Sequence, residues 1–435
     1  MRPPILSPKL RQIAAQAADK TRAFTNLAHL IDVELLQEAF CLTRQDGAPG
    51  CDGVTGDEYA KNLRSNLEDL HDRLRTGRYR AMPVRRVWIK KEDGGERPLG
   101  IPCFEDKVVQ RAVVMLLTPI YEQDFYSFSY GFRPGKSAHQ AVNDLWHGCM
   151  KFHGGTVVDA DIRGFFDNLD RGVLRELVER RVKDGGIHRL IGKWLNAGVL
   201  DGGELINPET GTPQGGVISP LLANIYLHYV VDEWFAEEVQ PRLYCRSALV
   251  RFADDFVIVC ESERDAERVL KALRKRLSKF GLELHPKKTR LVKFRKPEAY
   301  VKTAKASGNG TFDFLGFTYY WTRSLRGKWV VRRRTMGKRL RRSIRSLTKW
   351  CKDNLHMPLP EQQRALRLKL LGTYGYYGIK CNCEALETVY FHTRKAWKKW
   401  LSRRDRDSSL TWKKFHEKIE KTFPLPKPRI VHAHV

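Results

Sequence analysis

The stretch Arg251–Val259, RFADDFVIV, sets two adjacent aspartates between apolar residues on both sides. Ionised carboxylates are costly to place among Val, Ile and Phe unless something pairs with them. Successive side chains on a strand point to opposite faces, so Asp254 and Asp255 cannot both serve one site from a straight strand. A tight turn resolves this. The sequence predicts a hairpin whose apolar arms anchor it and whose tip carries both carboxylates, oxygen ligands suited to a hard cation. For an Asp-Asp pair standing alone, an ordinary polar turn is the better account.

A third acid shifts the balance. In VVDADIRGFFDNL, Asp161 ends an apolar strand predicted over residues 156–162, and the chain then turns. A strand-borne Asp beside a hairpin-borne pair is what two-metal phosphoryl transfer needs, with the ions about 4 Å apart. Asp159 and Asp167 share the parity of Asp161 along an extended strand, and spacing alone does not choose among the three.

Composition narrows the partner. At 435 residues the chain can bury one large core plus one or two satellite domains. A hydrophobic content of 42% with 10% aromatics fits a globular protein. Against 50 Asp and Glu stand 78 Lys and Arg, a net charge of +28 that calls for a polyanion, nucleic acid before anionic membrane. No run of eighteen apolar residues exists, so no membrane-spanning helix is expected. The start, MRPPILSPKLRQIAAQAADK, lacks a signal-peptide core, which points to the cytoplasm or nucleoid of a bacterium, although organellar presequences are also basic and amphipathic. The nine cysteines are scattered without a CxxC pair and read as reduced.

Periodicity predicts helices over 57–75, 105–120, 137–148, 169–183, 217–239 and 263–280. VRRVWIKKEDGGERPLGIP reads as two strands around the turn Asp93-Gly94-Gly95. Strands interleaved with helices, then a helical tail from Gly337, predict an α+β core with an α-helical domain appended. From Arg323 to Lys352 there are thirteen Lys or Arg and no acid, with Trp329, Met336, Leu340, Ile344, Leu347 and Trp350 at partly helical spacing. So many unbalanced cations repel one another without a polyanion. Arg332, Arg333, Arg334, Lys338, Arg341 and Arg342 are the candidate nucleic-acid contacts in that stretch.

Eight stretches occur in one order: GAPGCDGVTG (47–56), WIKKEDGGERPLGIPCFEDKVVQRAV (88–113), SYGFRPGKSAHQA (129–141), DIRGFFDNLD (161–170), GTPQGGVISPLLANIYL (211–227), RFADDFVIV, HPKKTRLV (285–292) and FDFLGF (312–317). In these the chain resembles the reverse transcriptases encoded by group II introns, the intron-encoded reverse transcriptase/maturase family, in the form lacking an endonuclease domain. The resemblance implies a right-hand polymerase, with fingers and a palm built on an antiparallel sheet, followed by a helical thumb. It divides the chain into an N-terminal extension and start of the fingers (1–85), fingers and palm (86–320), an α-helical thumb or maturase domain (321–400) and a basic C-terminal segment, a candidate DNA-binding element (401–435).

The resemblance also assigns roles. It implies Asp161, Asp254 and Asp255 as catalytic metal ligands, with the Ile162 carbonyl as a backbone ligand, around two Mg²⁺ for which Mn²⁺ can substitute. It implies Lys91 and Arg97 on the triphosphate, where an ammonium and a bidentate guanidinium suit a polyanion. Pro213, Gln214 and Gly215 match the loop against the incoming nucleotide, and Phe166 matches the aromatic that packs on the sugar and excludes a 2′-OH, with Phe165 as core. One departure stands out: Phe252 occupies the position where the family has Tyr, one hydrogen bond fewer near the primer terminus. GFRPGKS is not a phosphate-binding P-loop, since only three residues separate Gly131 from Gly135.

The implied reaction is RNA-templated DNA synthesis from dNTPs at a primer 3′-OH, with a second role in intron splicing and mobility. The implied partners are intron RNA, an RNA template with a DNA primer, and target DNA, with no membrane; oligomeric state is not legible. Two other readings stay open: a free-standing relative serving DNA repair or phage defence, and an RNA-binding splicing factor whose polymerase has decayed. The encoding DNA discriminates them, because a catalytic intron around the reading frame favours the maturase.

Overall fold

VRRVWIK and ERPLGI form β1 (Val84–Lys90) and β2 (Glu96–Ile101), paired antiparallel with Ile89 opposite Arg97. A computed structural model of the protein describes residues 7–90, 95–201, 204–206, 215–301, 303, 308–404 and 410–433. The turn after β1 lies outside them. β3 (Thr156–Asp161) is nearly all buried, as its VVDA run requires. Then follow β4 (Val199–Asp201), β5 (Glu204–Ile206), β6 (Ser247–Phe252), β7 (Asp255–Cys260) and β8 (Arg290–Lys293). One sheet has the order β2-β1-β4-β5, and another the order β6-β7-β3-β8. In the first, β1 and β4 run parallel while β4 and β5 run antiparallel.

The chain divides into two compact units. One comprises Met1–Ala141, Ala160–Ile258 and Arg264–Arg290; the other comprises Val142–Asp159, Val259–Glu263 and Leu291–Val435. In the first unit the helix Phe104–Asp124 is the central element, burying Val108, Val109, Ala112, Val113, Leu116 and Leu117. The region expected as one helix over 57–75 is two, Gly56–Ala60 and Leu63–Arg75. A capping box between Thr55 and Glu58 starts the first, and Asn62 leaves helical geometry before the second. The helix expected over 217–239 is α-helical only for Ser219–Leu227, then continues in a wider i→i+5 winding over His228–Val239. A helix at Gly185–Leu195, capped by Asp184, and the short β4 and β5 were not foreseen.

The second unit contains a sheet of β9 (Phe312–Phe314), β10 (Phe317–Arg323) and β11 (Trp329–Thr335), in the order β11-β10-β9. This corrects the helical reading of the cationic stretch. Trp329, Val331, Arg333 and Thr335 share the buried face of β11, a period of two, and helix begins only at Gly337. Helices Gly337–Asp353, Leu359–Tyr377 and Cys383–Leu401 then close around Leu347, Leu366, Leu370, Tyr374, Val389 and Trp397. The Trp397 indole N–H donates to Gln362 Oε1 at 2.8 Å, so the polar atom of this buried ring is satisfied. Among the described residues no helix is long and apolar enough to cross a membrane.

Candidate active site

The β6–β7 hairpin turns through Ala253 and Asp254, which puts Asp254 in the turn and Asp255 at the first position of β7. Val250 on one arm and Phe256, Val257 and Ile258 on the other are buried, so the apolar flanks anchor the tip. Ala253 adopts a left-handed φ of +56°, which costs an L-residue about 1–2 kcal/mol. The backbone of Gly131 lies against it: a Cβ there would come within 2.3 Å of the Ala253 nitrogen, so only glycine fits.

Asp161 ends β3. Its carbonyl accepts the His285 N–H at 2.7 Å, and the Arg163 N–H donates to the Glu283 carbonyl at 2.9 Å. Between these bonds Ile162 faces Leu284 in an antiparallel bridge. In such a pairing the intervening residue turns its own N–H and C=O outward, so the Ile162 carbonyl points away from that segment. The Asp161 carboxylate is held by Lys288, whose Nζ donates to Oδ2 at 2.8 Å.

Asp254 shares this charge environment. Burial pushes its carboxyl pKa up, the negative charge of Asp161 pushes the same way, and Arg97 and Lys288 oppose both. Charges from β2, the end of β3 and the HPKK turn thus all bear on the hairpin tip. The charge of Asp161 thus bears on the tip, and Asp167 is exposed in the turn beyond it.

Phe166 is half-buried, its ring 5.2 Å from that of Phe165, and Phe165 packs in turn on Tyr226. Phe165 is thus core, as expected. Gly215 has φ +120°, and a Cβ on it would strike the Gly100 carbonyl of β2 at 2.3 Å, so this glycine lets two backbones meet. Lys91, Pro213 and Gln214 lie outside the described residues.

The proposed nucleic-acid contacts sit in the second unit and do not behave alike. Arg333 is only 5% exposed, its guanidinium 5.3 Å from the Trp146 ring centre, and burial lowers its pKa. Arg332 is half-buried, whereas Arg334, Lys338, Arg341 and Arg342 are exposed. Strand alternation withdraws Arg333 from any surface, which a count of cations could not show.

Among the described residues no group of three His, Cys, Asp or Glu side chains is gathered closely enough to hold a metal. The tip and Asp161 nevertheless fit a hard divalent cation in two respects. The donors are carboxylate oxygens, and Asp254 is a buried acid destabilised by a neighbouring acid, so added positive charge relieves it. Sequence reasoning missed Lys288 as the partner of Asp161. Its one signal was membership of HPKKTRLV, a matching stretch to which no role was attached.

Comparison with known proteins gives the family of the chain. Residues 89–319 match the family described as reverse transcriptase (RNA-dependent DNA polymerase). Protein YkfC of Escherichia coli (strain K12) is 36% identical over 293 residues, covering 60% of this chain and 77% of that protein. Group II intron-encoded protein LtrA of Lactococcus lactis subsp. cremoris is 41% identical over 179 residues, 40% of this chain but only 29% of LtrA. An uncharacterized 91 kDa protein in the cob intron of Schizosaccharomyces pombe is 37% identical over 186 residues, covering 42% of this chain and 22% of that protein. The chain belongs to the reverse transcriptase family, within its group II intron-encoded reverse transcriptase/maturase branch. The right-hand polymerase fold and the use of divalent metal ions are general to that family.

Proposed function

We propose that the protein is an RNA-directed DNA polymerase that extends a primer 3′-OH with dNTPs on an RNA template, and that it assists the splicing and mobility of an intron RNA. The observation that carries this is the opposition of Asp254, on a clamped hairpin tip, to Asp161, with Arg97 and Lys288 beside them. Asp161, Asp254 and Asp255, with the Ile162 carbonyl, are the residues to hold two Mg²⁺. When bound, those ions supply Lewis acidity and charge neutralisation at the transferred phosphate.

The chain's own residues do the rest. Arg97 and Lys91 bind the triphosphate, the first from an exposed position opposite Ile89. Phe166 sets the floor of the sugar pocket, and Gly215, with Pro213 and Gln214, brings backbone close to the nucleotide. Residues 86–320 serve as fingers and palm behind an N-terminal extension and start of the fingers (1–85). Residues 321–400 serve as the thumb and maturase domain, and 401–435 as a basic DNA-binding segment. The exposed Arg334, Lys338, Arg341 and Arg342, with Arg332, take nucleic-acid phosphates.

Primer extension on an RNA template tests this reading. Asp254→Asn should abolish metal-dependent cDNA synthesis while leaving RNA affinity nearly intact. Substantial extension by that variant would overturn the metal assignment.

A further inference from the structure

Three matching stretches contain residues that the proposed chemistry does not use. They are Ser129, Gly131 and Arg133 in SYGFR, Asn224 in LANIYL, and Arg251 at the head of RFADD. In the first unit they converge. Arg251 is fully buried, and so is Asp232 on the widened helix. A guanidinium has five N–H donors, and all five of Arg251 are used. Nε donates to Asp232 Oδ1 at 2.7 Å, and one NH2 proton goes to Asp232 Oδ2. The other NH2 proton goes to Ser129 Oγ at 2.7 Å. NH1 donates to Asn224 Oδ1 at 3.0 Å and to the Ala253 carbonyl at 3.1 Å.

That last bond reaches the residue immediately before Asp254. Asn224 works in both directions: its Oδ1 accepts from Arg251, and its Nδ2 donates to the Gly131 carbonyl at 2.7 Å. Gly131 is the backbone pressed against Ala253. The backbone of Arg251 is tied to the same loop, by its N–H to the Phe128 carbonyl and by its carbonyl to the Tyr130 N–H, both at 2.9 Å. Arg133 folds that loop onto itself, donating to the Tyr126 and Ser129 carbonyls at 2.7 and 2.6 Å. The left-handed Ala253 is thus held at its nitrogen side by Gly131 and at its carbonyl by Arg251.

We propose that the buried Arg251–Asp232 pair, with Asn224 and Ser129, is the positioning device that aims the Asp254–Asp255 tip at Asp161. The proposal rests on the reading of that tip as metal-holding. An apolar pair of equal volume would stabilise such a site at least as well. What a planar five-donor fork adds is direction, at a residue whose φ would otherwise relax. As a positioning residue, Arg251 acts through Ala253 and not on substrate or reacting atoms.

The test is single-turnover primer extension by the full chain, together with Mn²⁺ binding followed by electron paramagnetic resonance. R251K keeps the charge but loses the fork. Its extension rate should fall about tenfold or more, as a small misplacement of catalytic groups predicts. Half-saturating dNTP should stay within about twofold, and Mn²⁺ should bind severalfold more weakly. N224A cuts the tie between Arg251 and the Gly131 carbonyl and should move rate and Mn²⁺ affinity the same way. It decides the matter if R251K does not fold. Parental rate and Mn²⁺ affinity in N224A, or in a folded R251K, would overturn the positioning role. Asp254→Asn, run alongside, separates the two failures. Retained Mn²⁺ binding and extension there removes the metal reading itself, whereas their loss with unaffected Arg251 and Asn224 variants removes only the positioning role.

Discussion

The Lys288 ammonium stands 2.8 Å from Asp161 Oδ2, across 127 residues of sequence, and its charge also bears on Asp254. It holds the place of positive charge between two acids that repel each other. A divalent ion bound by Asp161 must share or displace that ammonium. The pair is partly exposed, 61% and 33% for the two side chains, so its strength lies within about 1 kcal/mol. Lys288→Met should therefore tighten Mn²⁺ binding by about two- to fivefold, measured by electron paramagnetic resonance on the metal-free chain. An unchanged isotherm would make the contact incidental.

Phe166→Ala should open the sugar pocket. Phe166 is half-buried on Phe165, so truncation removes the ring without emptying the core beneath it. Discrimination against ribonucleotides should fall by about tenfold, equivalent to ~1.4 kcal/mol. Single-turnover incorporation of matched dNTP and rNTP reads this directly. Unchanged selectivity would show that Phe166 only packs.

The cationic stretch should separate into two classes. Replacing Arg341 and Arg342 by Gln should flatten the log–log salt dependence of template–primer or intron RNA binding, by about 0.7–0.9 for each phosphate no longer neutralised. Arg333→Gln should leave that slope alone and lower the melting temperature by several degrees. It removes a buried guanidinium lying on Trp146 and bonded to the Val142 carbonyl. A common slope change in all three variants would place Arg333 on the binding surface.

His228 should make the protein acid-sensitive. It is buried among Phe125, Tyr126 and Tyr229, and burial, aided by Arg251, Lys20, Arg133 and Arg180, lowers its pKa from 6.5 to about 3. Between those values the unfolded chain binds a proton that the folded chain refuses. Stability from neutral His228 is therefore complete above pH 6.5 and is lost as pH falls toward 3. Its Nδ1 has no hydrogen-bond partner among the described residues, so His228→Phe sacrifices little there. At pH 4 the variant should be more stable than the parent by a few kcal/mol, and near pH 7.5 the two should be similar. Denaturant titrations at the two pH values measure it. A parallel acid profile would show that His228 does not resist protonation.

Much of the site was legible because its signals are local. An Asp-Asp pair between apolar runs needs a turn, and the structure has Asp254 in one. An apolar run ending in an Asp needs a strand that delivers it to an edge, and β3 does so with Asp161. The charge excess pointed to a polyanion, and the order of eight short motifs identified the family. Those are properties of residue type and spacing within short segments, and no partner elsewhere in the chain can change them.

What the tertiary structure alone decided are the pairings between distant segments. Composition cannot show that Arg333 is buried and Arg334 exposed, since the period changes from strand to helix after Thr335 in a stretch that reads as uniformly basic. Nor could spacing show that the charge of Asp161 bears on Asp254, since Asp159, Asp161 and Asp167 all share one parity. The Lys288–Asp161 contact spans 127 residues and the Arg251–Ser129 contact 122. Hydrogen bonds and ion pairs act over a few ångströms in space. Their partners are therefore set by how strands and helices stack, and a linear pattern carries that information only through the fold it produces.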